Sequence, residues 1–218
     1  MVQTCIPYNN STMLHALHEG FSWYTDQAGT LQRIIQAGHA EQTITKSRFV
    51  ALADYCADER SAAFLLRGLA SQHQGANHLA YAFRIKTAQG IVQRFHDAGE
   101  PSGTAGKPVL QLIEGRDLIN VCVGVIRYYG GVNLGTGGLA RAYGGTARMA
   151  MDAAKTAPFV EMRQIEMLID YKQLDYLGRE LGKLGGEIVG KVFAEQVKVT
   201  LVAPATQIEG ISKKFSIR

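Results

Sequence analysis

The sequence predicts an α+β protein of two domains, and three observations carry that prediction. Stretches alternating apolar and polar residues with a period of two are interspersed with apolar stripes of helical period, so strands and helices share the chain. The segment from residue 159 to residue 218 reads strand, helix, strand, strand and helix in quick succession, a layered unit in its own right. The 218 residues, 46% hydrophobic and 19% charged, suffice for one large or two small cores. The predicted organisation is a leader over 1–40, a first domain over 41–158 and a second over 159–218.

Taken in order, the leader gives little beyond "LQRIIQ", which reads as a short helix. "QTITKSRFVALADY" is rich in strand formers and predicts one strand. "DERSAAFLLRGLASQH" opens on the capping candidate Asp58 and sets Ala62, Leu65, Leu66 and Leu69 at helical spacing. "HLAYAFRIK" sets Leu79, Tyr81, Phe83 and Ile85 against His78, Ala80, Arg84 and Lys86, the pattern of a half-buried strand, and "IVQRF" returns beside it. "KPVLQLIEG" predicts a short helix with Pro108 in its first turn and Gly115 at its end. The nearly unbroken apolar run "LINVCVGVIRYY" predicts a central strand covered on both faces. "LARAYGGTARMAMDAAK" predicts a helix of small side chains, with Gly144 and Gly145 letting it approach the sheet closely. "KTAPFV" reads as a linker.

Beyond it come strand "EMRQIEMLID", a helix with Leu174, Leu177, Leu181 and Leu184 on one stripe and Gly185 at its end, and strands "EIVGKVF" and "QVKVTLVA". A helix over 206–213 and a last strand "FSIR" complete β-α-β-β-α-β, the ferredoxin-like arrangement.

Composition narrows the function classes. No apolar run reaches the roughly 18 residues of a membrane span, and the N-terminus lacks a signal-peptide pattern, so a cytoplasmic location without membrane association is expected. Cys5, Cys56 and Cys122 form no C-x-x-C pair and read as reduced residues, Cys122 as a buried apolar one. The net charge is +4; residues 1–158 carry 14 basic and 11 acidic residues, and 159–218 carry 9 and 8. Between Leu118 and Met151 stand Arg127, Arg141 and Arg148 and no acidic residue, a stretch suited to anions.

Two glycine-rich loops are the candidate sites. "GTGGLA" matches a dinucleotide fingerprint only superficially, because "GGVNL" separates Gly135 from the strand and no parallel strand with an acidic end follows. Two readings of Gly135, Gly137 and Gly138 stay open: an anion held at the start of the following helix, or glycines that merely permit positive φ and close packing. The loop "HDAGEPSGTAGKP" carries Asp97, Gly99, Glu100, Ser102, Gly103, Thr104 and Gly106. Its GK pair fails as a P-loop, since Pro101 and Pro108 occupy positions needing glycine and Ser or Thr. Asp97 and Ser102 suit turn formation more than catalysis. His73 and His78, five apart, fit no helical metal pair, and neither metal nor cofactor is expected. Lys46, Arg48, Arg84, Lys107, Arg127 and Arg141, with Tyr128, Tyr129 and Tyr143 as stacking surfaces, are the residue types of an RNA-binding face if they share one; a solvated surface with buried tyrosines is the plainer alternative.

"TKSRFVA", "NHLAYAFR", "HDAGEPSGTAGKP" and "VIRYYGGVNLGTGGLARAYGG" together resemble the YigZ/IMPACT family across about residues 45–150, with a looser likeness beyond. The family usually reads Asp-Asp-Gly-Glu after the histidine, whereas Ala98 is second here. The resemblance implies a first domain of the ribosomal protein S5 domain 2-like fold, like domain IV of elongation factor G, and a second like its domain V. It also implies a link to translation, because eukaryotic relatives are translation regulators that compete for a partner of a stress-activated kinase. The expected function is a non-catalytic protein binding RNA, the ribosome or a translation-associated protein. The alternative is a hydrolase-type enzyme holding a small anionic substrate, phosphate-type or peptide, between the two glycine loops, with Glu100, Ser102 and Thr104 as reactive groups and backbone amides near Gly137 holding the anion.

Overall fold

The structure, a computed structural model, describes residues 30–215. The described chain falls into two compact units that divide between Phe159 and Val160.

In the first unit, β1 (Gln32–Gln36) leads to β2 (Gly38–Ile44) and β3 (Ser47–Tyr55), then α1 (Glu59–Gln72). β4 (His78–Thr87) and β5 (Gly90–His96) form a hairpin, followed by α2 (Gly106–Gly115), β6 (Val121–Tyr128), α3 (Gly135–Ala153) and β7 (Lys155–Pro158). Five strands make an antiparallel sheet in the order β2-β3-β6-β4-β5. β6 is central, and Val121 through Arg127 are all buried. One face carries α2 and α3 over Phe49, Ala51, Ala53, Val121, Val123 and Val125. The other carries α1 over a smaller cluster of Cys56, Phe83, Ile85 and Cys122. α1 begins on a capping box in which Asp58 accepts the Ser61 N–H at 2.7 Å and the Ser61 hydroxyl accepts the Asp58 N–H.

Several expectations are corrected here. "LQRIIQ" is strand β1, not a helix, and "KTAPFV" contains its antiparallel partner β7 rather than a linker. Adjacent Ile34 and Ile35 favour extended backbone, and Ile34 gains a place in the core at 2% exposure. The single strand predicted from Gln42 is a hairpin whose turn residues, Thr45 and Lys46, both take positive φ (46° and 65°). Such turns usually announce themselves by Asn-Gly or Gly-Gly, which this one lacks. β4 is buried on both faces, because Ala80 and Ala82 lie in the core under α2 and α3. The close approach of α3 to the sheet depends on Gly38 of β2, where a Cβ would overlap the Ala150 carbonyl. At Gly144 an added Cβ would meet only ordinary contacts with Pro108 and Leu112 of α2, at 3.5 and 3.8 Å.

The second unit runs β8 (Met162–Ile169), a 3-10 turn, α4 (Leu174–Lys183), β9 (Glu187–Phe193), β10 (Val197–Pro204), another 3-10 turn and α5 (Ile208–Phe215). Its antiparallel sheet has the order β8-β10-β9. Leu177 and Leu181 of α4 sit fully buried over Ile169, Val199 and Leu201, each contributing about 1.5–3 kcal/mol by apolar burial. The α4 stripe stops where the Gly186 N–H returns to the Leu181 carbonyl around Gly185. Residues 216–218, which hold most of the predicted strand "FSIR", and residues 1–29 of the predicted leader lie outside the described residues.

Candidate nucleic-acid interface

The first glycine loop, residues 97–106, is built around its own carboxylate. Asp97 accepts the backbone N–H groups of Gly103 (2.8 Å), Ala105 (3.0 Å) and Gly106 (2.8 Å), the last opening α2. An acidic side chain thus fills the place at the α2 N-terminus where an external anion would sit. Partial burial works to raise the Asp97 pKa, but the N–H groups of Gly103, Ala105, Gly106 and Lys107 outweigh it and hold the carboxyl below its ordinary value. The Thr104 hydroxyl donates to the Pro101 carbonyl at 2.6 Å. Ala98 holds a positive φ of 53°, in the left-handed region that costs alanine about 1 kcal/mol.

Glu100 of this loop turns inward. Its Oε1 lies 2.6 Å from Arg127 Nη1, with the two side chains 6% and 5% exposed, and accepts the Tyr143 hydroxyl at 2.8 Å. Arg127 also donates from Nη2 to Ser47 Oγ at 3.3 Å and packs within 5.6 Å of the Phe49 ring and 5.1 Å of the Tyr129 ring. Ser47 Oγ in turn accepts the Gly130 N–H at 3.2 Å, so one network joins both glycine loops to the β2–β3 hairpin. His78 contributes Nε2 at 3.9 Å from Glu100 and holds the Ala98 carbonyl through Nδ1 at 2.8 Å. Burial and the bond to Glu100 both push the Tyr143 hydroxyl pKa up, keeping it a neutral donor.

The second loop, residues 130–138, is arranged oppositely. Leu134 precedes α3 with no side-chain cap, Gly135 takes φ +68°, and the first turn of the helix contains no acidic residue. Gly137 is exposed and Gly138 half-buried. The first N–H groups of α3 therefore face solvent with the positive end of the helix dipole behind them.

The six expected cations do not share a face. Arg48 and Tyr128 are directly paired across β3 and β6 and point to the α1 side, opposite Phe49. There Arg48 makes a two-pronged pair with Glu41 at 2.6 and 2.9 Å and lies 5.2 Å from the Tyr128 ring centre. The Tyr128 hydroxyl meets His73 Nδ1 at 2.8 Å. Lys46 is exposed in the hairpin turn. Lys107 and Arg141 belong to α2 and α3, on the other side of the sheet, and are exposed. Arg84 is half-buried, donating to the Leu118 carbonyl at 3.3 Å. Arg127, expected at an open surface, is 4% exposed. Tyr143, expected as a stacking surface, is fully buried.

Ser47, Asn77 and His78 were not singled out from sequence as partners of this network, and Asn77 secures β6 by accepting the Tyr129 N–H at 2.8 Å. Arg148 is not among the six expected cations. Its signal was present: Arg141 and Arg148 are seven apart, and hence on one helix face, with Gly144 and Gly145 between them.

Fold and site together define a two-unit α+β protein in which an internally paired glycine loop lies beside an uncapped, acid-free helix start. The Impact N-terminal domain model matches residues 45–151. The chain belongs to the IMPACT family. It is 31% identical over 176 residues to IMPACT family member YigZ of Escherichia coli (strain K12), covering 80% of this chain and 86% of that one. It is 36% identical over 146 residues to IMPACT family member YvyE of Bacillus subtilis (strain 168), covering 67% of each. Among solved structures, the crystal structure of a hypothetical protein superposes with a TM-score of 0.65 at 27% identity, over 87% of this chain and 98% of that one. The two-domain translational regulator Yih1 aligns over 66% of this chain and 58% of its own at 28% identity, with a TM-score of 0.38.

Proposed function

We propose that this protein is a non-catalytic binding protein linked to translation or its regulation, acting in the cytoplasm on RNA, the ribosome or a ribosome-associated protein. The observation that carries the proposal is the start of α3: no side-chain cap, no acidic residue in its first turn, and Arg141 exposed without an ion-pair partner among the described residues. A surface of that kind attracts phosphate through backbone donors and an arginine fork. The link to translation rests on the family resemblance, as does the likeness of the two units to domains IV and V of elongation factor G. The five-stranded unit followed by a β-α-β-β-α unit is the order that likeness calls for. Hydrolase chemistry is the weaker reading, since Glu100 is held against Arg127 and the Thr104 hydroxyl against a carbonyl.

The test is binding of the purified chain to total RNA and to ribosomes across a salt series, beside Arg141→Ala. Binding that weakens steeply with salt and in the variant supports the reading. Absence of binding to both at low salt overturns the RNA and ribosome readings and leaves a ribosome-associated protein as the partner. Arg127→Ala is unsuitable for this purpose, because it empties a buried ion pair.

A further inference from the structure

The outer surface where α3 packs beside α2 holds an open groove of about 360 Å³. Arg141 and Arg148 stand on its α3 side, Pro108 and Gln111 on its α2 side, and Gly144 and Gly145 lie between the arginines. Its lining contains no carboxylate. Neighbouring acids are already engaged: Asp152, four residues past Arg148, pairs with Arg116 at 2.6 Å, and Glu114 of α2 accepts Gln93 at 2.8 Å. Arg141 and Arg148 are exposed and have no ion-pair partner among the described residues.

We infer that this groove binds the sugar-phosphate backbone of a single RNA strand, an inference that rests on the RNA-facing reading above and gives it a location. Seven residues of α-helix separate the arginines by about 10 Å along the axis. The phosphates of a single strand follow its extended backbone, so that distance reaches from one phosphate to a neighbouring one, with one arginine for each. Between the arginines Gly144 is buried against α2 and Gly145 is half-buried, and neither puts a side chain into the groove, so a polar chain can lie along it while both guanidinium forks reach phosphate oxygens. Pro108 and Leu112 supply an apolar wall for sugars or unstacked bases. At the Arg141 end the groove leads to the uncapped start of α3, extending the anion-attracting track by another turn.

The experiment measures binding of the full chain to a 20-nucleotide oligouridylate by fluorescence anisotropy between 20 and 200 mM salt, with poly-glutamate of equal charge as competitor. The double variant Arg141→Ala/Arg148→Ala is expected to bind at least tenfold more weakly, with the salt slope reduced by about 1.4 for two lost phosphate contacts. Gln111→Glu, which puts a carboxylate in the groove without changing volume, is expected to weaken binding at least tenfold, and Arg48→Ala, on the opposite face of the sheet, to leave it unchanged. Circular dichroism and thermal melts establish that each variant is folded. If wild type binds RNA and the groove variants bind equally well, the groove is wrong while RNA binding stands. If wild type binds no oligouridylate at low salt but binds ribosomes, the broader reading survives without this ligand. Equal displacement by poly-glutamate assigns the groove to an acidic protein and overturns the RNA inference.

Discussion

The two glycine-rich loops of the first unit look alike in sequence and do opposite things. In residues 97–106 the loop carries its own anion: Asp97 fills the α2 N-terminus, and Glu100 is buried against Arg127 and Tyr143. In residues 130–138 the loop carries no acid, and the α3 N-terminus stays open beside Arg141. Glycine density is therefore no guide to ligand binding. What separates a closed helix start from an open one is whether a carboxylate lies within reach in the chain.

Variants that break the closed loop give the largest expected effects. Glu100→Ala or Arg127→Ala strands the other charge in a buried site and should cost about 3–5 kcal/mol, read from urea unfolding. The same substitution at the exposed Arg141 should stay within about 0.5 kcal/mol. Equal losses at Arg127 and Arg141 would erase the contrast. Asp97→Ala should cost about 1–3 kcal/mol, since it leaves the N–H groups around the start of α2 without their acceptor.

Asp97 also imposes a pH dependence. Its folded pKa lies below the ordinary value, so its contribution is complete above about pH 4, where the unfolded chain is ionised, and fades as pH falls toward the folded pKa. Asp97→Asn should flatten that acid limb while wild type keeps it. In the open loop, Gly135→Ala forces a Cβ into φ +68° and should cost about 1–2 kcal/mol in the same unfolding assay. The smallest effect expected is a gain: Ala98→Asn, at φ 53°, should add up to about 1 kcal/mol, since asparagine tolerates this conformation. A loss there would mean that the alanine methyl packs better than its backbone angle suggests.

The second unit was the more legible half, because its signals are local. The leucine stripe of α4 and the hairpin of β9 and β10 each involve neighbours in sequence. The first unit hides its long-range pairings. β1 pairs with β7 some 120 residues later, and nothing in "LQRIIQ" or "KTAPFV" marks the other as its partner. Period two in β6 does place Arg127 on the inward face with Val121, Val123 and Val125, so its burial was readable. Its partner was not, because Glu100 is an ordinary-looking loop carboxylate 27 residues upstream. The assumption that the cations formed one face failed for a related reason: Arg48 and Arg141 occupy elements on opposite sides of one sheet, a fact fixed by topology rather than by composition.

Cys56 and Cys122 lie in the cluster beneath α1, at 1% and 0% exposure. Burial pushes both thiol pKa values up, that of Cys122 to about 12, so at neutral pH neither is a thiolate in the native state. The pair amounts to a built-in clock for the lifting of one layer. In a Cys5→Ser background, alkylation of these thiols proceeds only as fast as α1 leaves the sheet, and comparing that rate with global unfolding reveals whether the helix opens alone.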